Sequence, residues 1–405
     1  MVLIGVFMSS LDLFIVNIAF PDLKRSFPSV SLTGLSWVLS AYAIMFAALL
    51  MPAGRWADRF GRKRAFLIGL ALFTVASAIC AGAPSLGLLV AARVLQAAGG
   101  ALMLPSSLGL LIPLFPPEKR GVAIGLWAAM GGAAAALGTP LGGLLVQASW
   151  RWVFLVNIPI GIVALLVGCW TLAEVRESGQ AAPDVLGALA LAATVAAIVA
   201  AIVQGQPWGW TGGRVLGLFA IGALGVAFSV WRAFRHPAPV IEPAILRIRS
   251  VALADLGTLF FFAGFSAMIL AASLFLTEVW GHSVLRAGLE IAPSPVLAAV
   301  FAVPGGLLAA KYGSRVIGFV GSGLFAIGGV MWATMPQAAP EYVARFLPAT
   351  LVAGVGVGLV LPSLSAAATL SLPPERFATG TALQSMCRQV GLALEIGRAS
   401  CRERV

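Results

Sequence analysis

Long apolar stretches separated by short polar ones follow one another along almost the whole chain. A helix that crosses a bilayer needs about 20 apolar residues, whereas a strand of a membrane barrel needs about ten residues that alternate between apolar and polar. The stretches here are continuously apolar, which favours helices because a helix satisfies its backbone hydrogen bonds within one segment. The pattern predicts thirteen membrane-spanning helices, the last of which begins at Thr379.

The predicted helices fall into two blocks joined by two extra helices. Their ranges, in chain order, are 1–20, 35–53, 65–83, 86–115, 121–148, 152–172, 185–203, 215–231, 251–280, 287–308, 316–335 and 342–372, followed by the helix from 379. We divide the chain into an N-terminal six-helix bundle at 1–173, two linking helices at 174–250 and an incomplete C-terminal bundle at 251–394. The predicted fold class is an all-α multi-pass membrane protein.

Composition supports this prediction, since 60% of the residues are hydrophobic and only 10% are charged, against about 25% charged in a soluble domain. The net charge of +11 would suit nucleic acid in a soluble chain. Here the basic residues lie in short loops, where they set membrane topology, so no nucleic-acid partner is expected. The four cysteines show no CxxC pair or histidine partner, which argues against a disulfide framework or a metal site.

The basic residues indicate which side of the membrane each loop occupies. Fifteen lysines and arginines fall on the side that holds "GRWADRFGRKR", residues 54–64, against six on the other side. Lysine and arginine are retained in the cytoplasm, so we expect this loop to be cytoplasmic and the protein to lie in the cell (inner) membrane.

Two echoes within the chain indicate a duplicated block. "PAGRWADRFGRKR" from Pro52 is echoed by "PGGLLAAKYGSRV" from Pro304, at an offset of 252 residues. "LPSSLGLLIPLFPPEKR" from Leu104 is echoed by "LPSLSAAATLSLPPERF" from Leu361, at an offset of 257. Six helices and two linking helices each return the chain to the same side, so the copies share one orientation. A parallel repeat of this kind forms a substrate site between two halves that rock against each other.

The end of the chain departs from the pattern. From Glu395 the sequence "EIGRASCRERV" places charged residues where the thirteenth helix should still cross lipid. The 16 residues from Thr379 to Leu394 extend only about 24 Å, which is too short to span. We interpret residues 395–405 as a translated sequencing adapter and expect the last helices to be missing. A native cytoplasmic tail is the alternative.

Four motifs resemble those of a known family. "GRWADRFGRKR" resembles the cytoplasmic signature between helices two and three of the major facilitator superfamily. "LDLFIVNIAFPDL", "LLVAARVLQAAGGALMLP" and "LGTPLGGLLVQASWRWVFLVNIPIG" are similar to the first-, fourth- and fifth-helix motifs of its fourteen-helix drug:proton antiporter family. The match covers Met1 to Leu394, with one departure in the fifth helix, where Thr139 separates Gly138 from Pro140.

The resemblance implies the major facilitator fold, with two six-helix bundles and two extra linking helices. It also implies proton-coupled antiport of amphipathic drugs or small metabolites by alternating access, without a cofactor. The partners would then be the small-molecule substrate, protons and the lipid bilayer, while a periplasmic adaptor is left open. The fifth-helix antiporter motif falls on Gly138, Pro140, Gly142 and Gly143.

The cytoplasmic gate motif falls on Gly54, Asp58, Arg59, Gly61 and Arg62. The resemblance implies that Asp58 and its basic neighbours latch the cytoplasmic side closed by pairing with the opposing half. The alternative is a basic loop that only sets topology, with Gly54 and Gly61 permitting a tight turn. Such a loop needs no aspartate, and the second copy has Ala310 where the first has Asp58.

Asp12 is the one acid deep in a predicted span, and deep acids are usually functional. Asp255, Glu278 and Glu290 lie near span ends, where solvation at the membrane interface is the simpler expectation. Asp12 and Arg93 each lie about 12 Å below the outer end of their helix, so they can meet. Our hypothesis is that Asp12 carries the coupling proton, with Arg93 and Gln96 tuning its affinity. The alternative is a static ion pair that holds two helices together.

Polar residues inside helices are candidates for the substrate cavity, or for hydrogen bonds between helices. The candidates are Asn17, Gln96, Asn157, Gln384 and Arg388. Two other functions stay open: an importer or facilitator for a specific solute, and a membrane-embedded enzyme. No HExxH, GxSxG or paired-carboxylate motif supports an enzyme, and the histidines, His236 and His282, fall on opposite sides.

Cysteine labelling tests the predicted orientation. In a background without native cysteines, we expect Arg64→Cys to react with a membrane-impermeant thiol reagent in everted vesicles and not in intact cells. Arg151→Cys, on the opposite side, is the matched control and should show the reverse pattern. Labelling of Arg64→Cys in intact cells would contradict the topology.

Overall fold

The computed structural model describes residues 1–175, 184–237, 239–240, 242–334, 341–373 and 376–399. This part of the chain is helical and has no strand, as the sequence predicts. Eleven of its helices are long and apolar enough to cross a membrane, and they correspond to the second to twelfth predicted helices. Residues 400–405, in the tail interpreted as an artefact, lie outside the described residues.

The first-half helices carry the chain from its start to residue 171. They are α1 (Val2–Ile18), α2 (Phe20–Ser26), α3 (Leu32–Phe60), α4 (Arg62–Gly82), α5 (Leu86–Leu111), α6 (Arg120–Ala148), α7 (Trp152–Leu155) and α8 (Asn157–Thr171). Two short 3₁₀ turns at Ile112–Leu114 and Pro117–Lys119 join α5 to α6.

Two linking helices and the second-half helices complete the described chain. The linking helices are α9 (Val185–Trp208) and α10 (Gly213–Arg235). The second-half helices are α11 (Pro243–Leu246), α12 (Arg249–Leu274), α13 (Val284–Ile291), α14 (Pro293–Tyr312), α15 (Ser314–Thr334), α16 (Leu347–Thr369) and α17 (Phe377–Ala399). A π-helical turn at Phe275–Val279 follows α12, and another at Tyr342–Phe346 precedes α16.

Residues 54–64, the basic segment "GRWADRFGRKR", are folded differently from the loop that the sequence predicts. Helix α3 continues through the first half of the segment to Phe60, and the chain turns only at Gly61, whose φ is 122°. Gly54 therefore lies inside a helix, and its predicted role in a tight turn is wrong. The helix continues because Gly54, Ala57 and Asp58 share one buried face at helical spacing. We call the end of the bundle at Gly61 the basic-loop end and the other the opposite end.

The internal repeat is visible in the packing of α4 on α5 and of α15 on α16. A Cβ added to Gly69 would lie 2.7 Å from the carbonyl oxygen of Gly99, and one added to Gly321 would lie 2.9 Å from that of Gly356. Gly69 and Gly321 are 252 residues apart, and Gly99 and Gly356 are 257 apart, so the contact recurs at the two sequence offsets. Small residues at these positions let the helix backbones touch.

Two crossings join the first half to the second half near the basic-loop end. In one, α3 meets α17, where Gly54 faces Ala382, and a Cβ added to Gly54 would lie 2.5 Å from the Cβ of Ala382. In the other, α6 meets α14, where Gly121 and Gly125 face Gly306. Gly306 lies 252 residues after Gly54, and Ala382 lies 257 after Gly125. The crossings are therefore equivalent under the repeat, as expected for parallel halves.

The α6–α14 crossing predicts a sharp difference between two glycines of one helix. In Gly121→Ala the new methyl group would overlap the backbone carbonyl of Gly306, which cannot move aside as a side chain can. We expect a loss of about 1–3 kcal/mol of stability, typical of overpacking, and a lower thermal unfolding midpoint in detergent.

Gly131→Ala is the matched control, because a Cβ at Gly131 meets nothing within 4 Å. Alanine favours the helix by about 1 kcal/mol over glycine, so this variant should be as stable as the wild type or slightly more stable. Equal midpoints for Gly121→Ala and Gly131→Ala would show that the crossing is not tightly packed.

Candidate functional site

Asp12 on α1 lies in a buried polar cluster with Arg93 and Gln96 of α5. Arg93 Nη1 donates to Asp12 Oδ2 at 2.5 Å, and Gln96 Nε2 donates to Asp12 Oδ1 at 2.9 Å. The three side chains are between 0% and 1% exposed. Each carboxylate oxygen therefore has a donor, one of them charged, which is the arrangement that stabilises a buried carboxylate. The predicted meeting of Asp12 with Arg93 is confirmed.

Residues of α3 and α4 complete the surroundings of the cluster. Arg93 Nε donates to the Val38 carbonyl at 3.2 Å, and its guanidinium carbon lies 4.0 Å from the centre of the Tyr42 ring. Gln96 Nε2 also donates to Ser77 Oγ at 2.9 Å. Arg93 is therefore held by a carbonyl and an aromatic face as well as by Asp12, and such a face attracts a cation.

Sequence reasoning missed Val38, Tyr42 and Ser77. A tyrosine and a serine inside apolar helices were visible in the sequence, but nothing in the spacing showed that they face α5. The Tyr42 hydroxyl is buried and has no hydrogen-bond partner among the described residues.

The structure distributes the substrate-cavity candidates over different places. Gln96 belongs to the Asp12 cluster, Gln384 donates to Thr258 of α12 at 3.5 Å, and Arg388 lies over the Phe262 ring of α12 at 5.8 Å. Asn157, at the start of α8, is 1% exposed, and neither of its amide atoms has a partner among the described residues. The side chain of Asn17 lies outside the described residues.

The fifth-helix motif packs α6 against α1, the helix that carries Asp12. Gly138 faces Phe14, and Gly142 faces Ile15 and Ile18. The helix runs without interruption through Pro140, and Gly143 lies in its next turn. The motif therefore sets how closely α1 and α6 approach each other.

Asp58 joins the two halves at the α3–α17 crossing. Its Oδ1 accepts from Arg62 Nε at 2.8 Å, while its Oδ2 accepts from the Thr379 amide at 2.8 Å and from the Thr379 hydroxyl at 2.5 Å. Arg62 also donates to the Gly109 carbonyl of α5 at 2.8 Å. Thr379 lies in the first turn of α17, where free amides and the helix dipole favour a negative charge. Asp58 thus caps a helix of the opposite half.

Two glutamates that the sequence did not single out support the same region. Glu174 accepts from the backbone amides of Lys63 and Arg64 at 3.0 and 3.3 Å, and so caps the start of α4. Glu242 pairs with Arg55 of α3 at 2.8 Å and with Arg376, just before α17, at 2.6 Å. Both glutamates lie outside the helices, where the sequence gives no signal of what they contact.

Two acids expected to be solvated at span ends are buried instead. Asp255 is 5% exposed and Glu290 is 8% exposed, so the prediction of interface solvation is wrong for both, whereas Glu278 is exposed. Glu290 pairs with His282 at 2.7 Å and with Arg286 at 3.0 Å. Distance from a span end fixes depth but not the face of the helix, and both acids lie on faces covered by protein.

A cavity of about 560 Å³ lies between α3, α5 and the linking helix α9. Its walls are apolar apart from Arg55, Arg59 and Asp184. None of these lining residues belongs to the substrate-cavity set predicted from the sequence. Arg59 of the gate motif therefore faces this cavity, while Asp58 faces α17.

Removal of Asp58 should have a much larger effect than removal of a surface acid. Asp58→Ala leaves Arg62 buried without its carboxylate, so we expect a loss of about 3–5 kcal/mol and a lower unfolding midpoint. Asp22→Ala is the control, because Asp22 pairs with Arg25 at the surface and such pairs contribute about 0–1 kcal/mol. Equal midpoints for the two variants would contradict the role of Asp58 at the crossing.

Comparison with known proteins finds relatives over nearly the whole chain. Multidrug resistance protein Stp of Mycobacterium tuberculosis is 34% identical over 393 residues, which are 96% of this chain and 72% of that protein. The methylenomycin A resistance protein of Streptomyces coelicolor is 32% identical over 392 residues, which are 96% of this chain and 81% of that protein. The tetracenomycin C resistance and export protein of Streptomyces glaucescens is 32% identical over 397 residues, which are 97% of this chain and 73% of that protein.

Solved structures show the same fold at low sequence identity. The human organic anion transporter MFSD10 (TETRAN) has a TM-score of 0.70 at 15% identity and covers 99% of this chain and 93% of that one. The proton:xylose symporter XylE has a TM-score of 0.64 at 16% identity and covers 96% of this chain and 85% of that one. The family model of the Major Facilitator Superfamily matches residues 2–394. The chain therefore belongs to the major facilitator superfamily, and it is a membrane transporter rather than an enzyme.

Proposed function

We propose that this transporter exports amphipathic drugs or small metabolites from the cell in exchange for protons, by alternating access. The observation that carries the proposal is the buried Asp12 carboxylate, held by Arg93 and Gln96. The names of the relatives, which include multidrug resistance and antibiotic export, support an exporter. The two linking helices α9 and α10 support the fourteen-helix antiporter type, and the basic-loop end is taken as cytoplasmic.

The first step of the mechanism is protonation of Asp12. In the present arrangement both carboxylate oxygens accept hydrogen bonds, which suits the ionised form. A proton on Asp12 removes its charge and weakens its bond to Arg93. Arg93 then keeps its hydrogen bonds to Gln96 Oε1, at 2.6 Å, and to the Val38 carbonyl. It also keeps its contact with the Tyr42 ring. Protonation can therefore weaken the attachment of α1 to α5 while the Arg93 guanidinium still has interaction partners.

The second step passes this change to the interface between the halves. Helix α1 packs on α6 through Gly138 and Gly142, and α6 in turn forms the crossing with α14 through Gly121. Close-packed backbones transmit displacements because there is no soft side chain between them. A shift of α1 therefore moves a helix that belongs to one of the two crossings.

The third step is the opening of the basic-loop end, which the Asp58 latch opposes. Separation of α3 from α17 breaks the two hydrogen bonds between Asp58 and Thr379. At the α6–α14 crossing, Ala310 replaces the acid and contacts Gly121. The α3–α17 crossing is thus held by the Asp58 latch and the α6–α14 crossing by an apolar contact, and opening of this end has to break both.

The energetics of one proton are sufficient for export of a neutral substrate. A proton that crosses 100 mV releases about 2.3 kcal/mol, and a difference of one pH unit adds about 1.4 kcal/mol. Together these sustain a gradient of several hundredfold. For a monovalent cation, a one-for-one exchange cancels the electrical contribution, so export then depends on the pH difference alone.

Substitution of Asp12 tests the proposal in everted vesicles, with ethidium supplied in the outside medium. In the wild type, one pH unit should raise the accumulated ethidium ratio at least about tenfold, since each coupled proton contributes about 1.4 kcal/mol per pH unit. Asp12→Asn keeps the shape of the side chain but cannot exchange the proton, so the response of its ethidium ratio to one pH unit should be about tenfold smaller than that of the wild type.

Asp22→Asn is the control and should respond like the wild type, because Asp22 lies at the surface in a pair with Arg25. If Asp12→Asn accumulates ethidium with the wild-type dependence on pH, Asp12 is a static partner of Arg93 and the proposed coupling is wrong. If an uncoupler leaves the rate of ethidium transport by the wild type unchanged, the protein is a facilitator instead.

A further inference from the structure

Asp255 on α12 is a buried acid that the mechanism above does not use. Its side chain is 5% exposed, and neither carboxylate oxygen has a hydrogen-bond partner among the described residues. It lies six residues from Arg249, where α12 begins, which is about 9 Å from the basic-loop end of the helix. Asp12 likewise lies six residues from Ile18, where α1 ends at the opposite end.

The face of α12 that carries Asp255 packs against α17. Thr258 and Phe262 follow Asp255 at helical spacing on this face, and both contact α17. Gln384 of α17 donates to Thr258, and Gly391 lies against Phe262. Asp255 is therefore one turn from a hydroxyl and an amide, in the seam between two second-half helices.

The ionisable groups near this seam are few. Among the described side chains of α17 they are Cys387 and Arg388. The Arg388 side chain lies over the Phe262 ring, and its Nε is buried without a partner among the described residues. Helices α11 and α16, which also pack on α12, contain no ionisable residue. On α13, Arg286 and Glu290 are bonded to each other at the opposite end.

Asp12 and Asp255 therefore occupy opposite environments in one structure. Asp12 has a donor on each oxygen, which stabilises the charge. Asp255 has none, and an ionised carboxylate buried without a partner is strongly unfavourable, whereas the neutral acid is far less so. The charged form suits the first site and the protonated form suits the second.

We propose that Asp255 is a second proton-binding site of the transport cycle, loaded with a proton in the arrangement seen here. This inference rests on the proposed proton-coupled export. The O–H bond at Asp255 forms with a proton taken from the outer aqueous side. It breaks when the basic-loop end opens and α17 moves from α12, and the proton then passes to water on the cytoplasmic side. Each cycle moves two protons inward, one through Asp12 and one through Asp255.

A second proton changes the electrical behaviour of the exchange. Two protons entering for one monovalent cation leaving carry one net positive charge inward, so the membrane potential drives export. With Asp12 alone the exchange of a monovalent cation is electrically silent. The potential dependence of ethidium export therefore reports on Asp255 separately from Asp12.

Infrared spectroscopy of the purified protein in an ester-free detergent tests the protonated state without any transport. The wild type should show a carboxylic acid C=O band that shifts on exchange into D₂O. This band should disappear in Asp255→Asn and persist in Asp12→Asn. An unchanged band in Asp255→Asn, or no such band in the wild type, would overturn the proposal.

Transport in everted vesicles tests the second proton. With a membrane potential of 100 mV and no pH gradient, the equilibrium ethidium ratio of the wild type should change by about 50-fold. The ratio of Asp255→Asn should stay unchanged. With a pH gradient alone, Asp255→Asn should still respond, by about tenfold per pH unit against about 100-fold in the wild type. Asp255→Glu, which keeps the acid, should restore the response to potential, and Asp22→Asn should behave as the wild type.

The outcomes separate the two hypotheses. A wild type that responds to pH but not to potential, or an Asp255→Asn variant that keeps the full response to potential, overturns the role of Asp255 and leaves the proposed function standing. A wild type that responds to neither gradient overturns proton coupling itself and, with it, the second proton. Loss of all transport in both Asp255→Asn and Asp255→Glu would indicate a packing role and overturn the proposal.

Discussion

A charge or a backbone carbonyl inside a bilayer has to find its partner within the protein, and this constraint shapes every important contact in the molecule. Asp12 and Asp58 each receive donors on both oxygens, from Arg93 and Gln96 in one case and from Arg62 and Thr379 in the other. The helices themselves meet at glycines, because a backbone without side chains allows the closest approach. Asp255 is the acid in which the constraint is met by protonation rather than by a partner.

The duplicated block shows which features belong to the fold and which to the function. The glycine contacts recur at the same offsets in both halves, at Gly69 with Gly99 and at Gly321 with Gly356. The charged groups do not recur, since Ala310 stands in place of Asp58 and Gly264 lies 252 residues after Asp12. The repeated backbone geometry thus builds two equivalent crossings, and the unequal side chains give one crossing a latch that the other lacks.

The proposed coupling follows a continuous set of packed helices. Asp12 sits on α1, α1 packs on α6 through Gly138, and α6 crosses to the second half at Gly121. Helix α17 takes part in the other crossing and also covers Asp255 along α12. The two acids thus lie near opposite ends of the molecule, each beside a helix that must move when the halves rock. In this arrangement the two proton sites can be exposed to opposite sides at different stages of the cycle.

The sequence by itself determined the helices, the expected orientation, the repeat and the shared depth of Asp12 and Arg93. These properties depend on position along the chain, which hydropathy, charge and a rise of 1.5 Å per residue convert into depth. Only the tertiary structure decided that Gly54 is a helix contact, that Thr379 is the partner of Asp58, and that Asp255 is buried. These depend on the direction in which a side chain leaves its helix and on which distant helix covers it, and for Asp58 that helix lies 321 residues away along the chain.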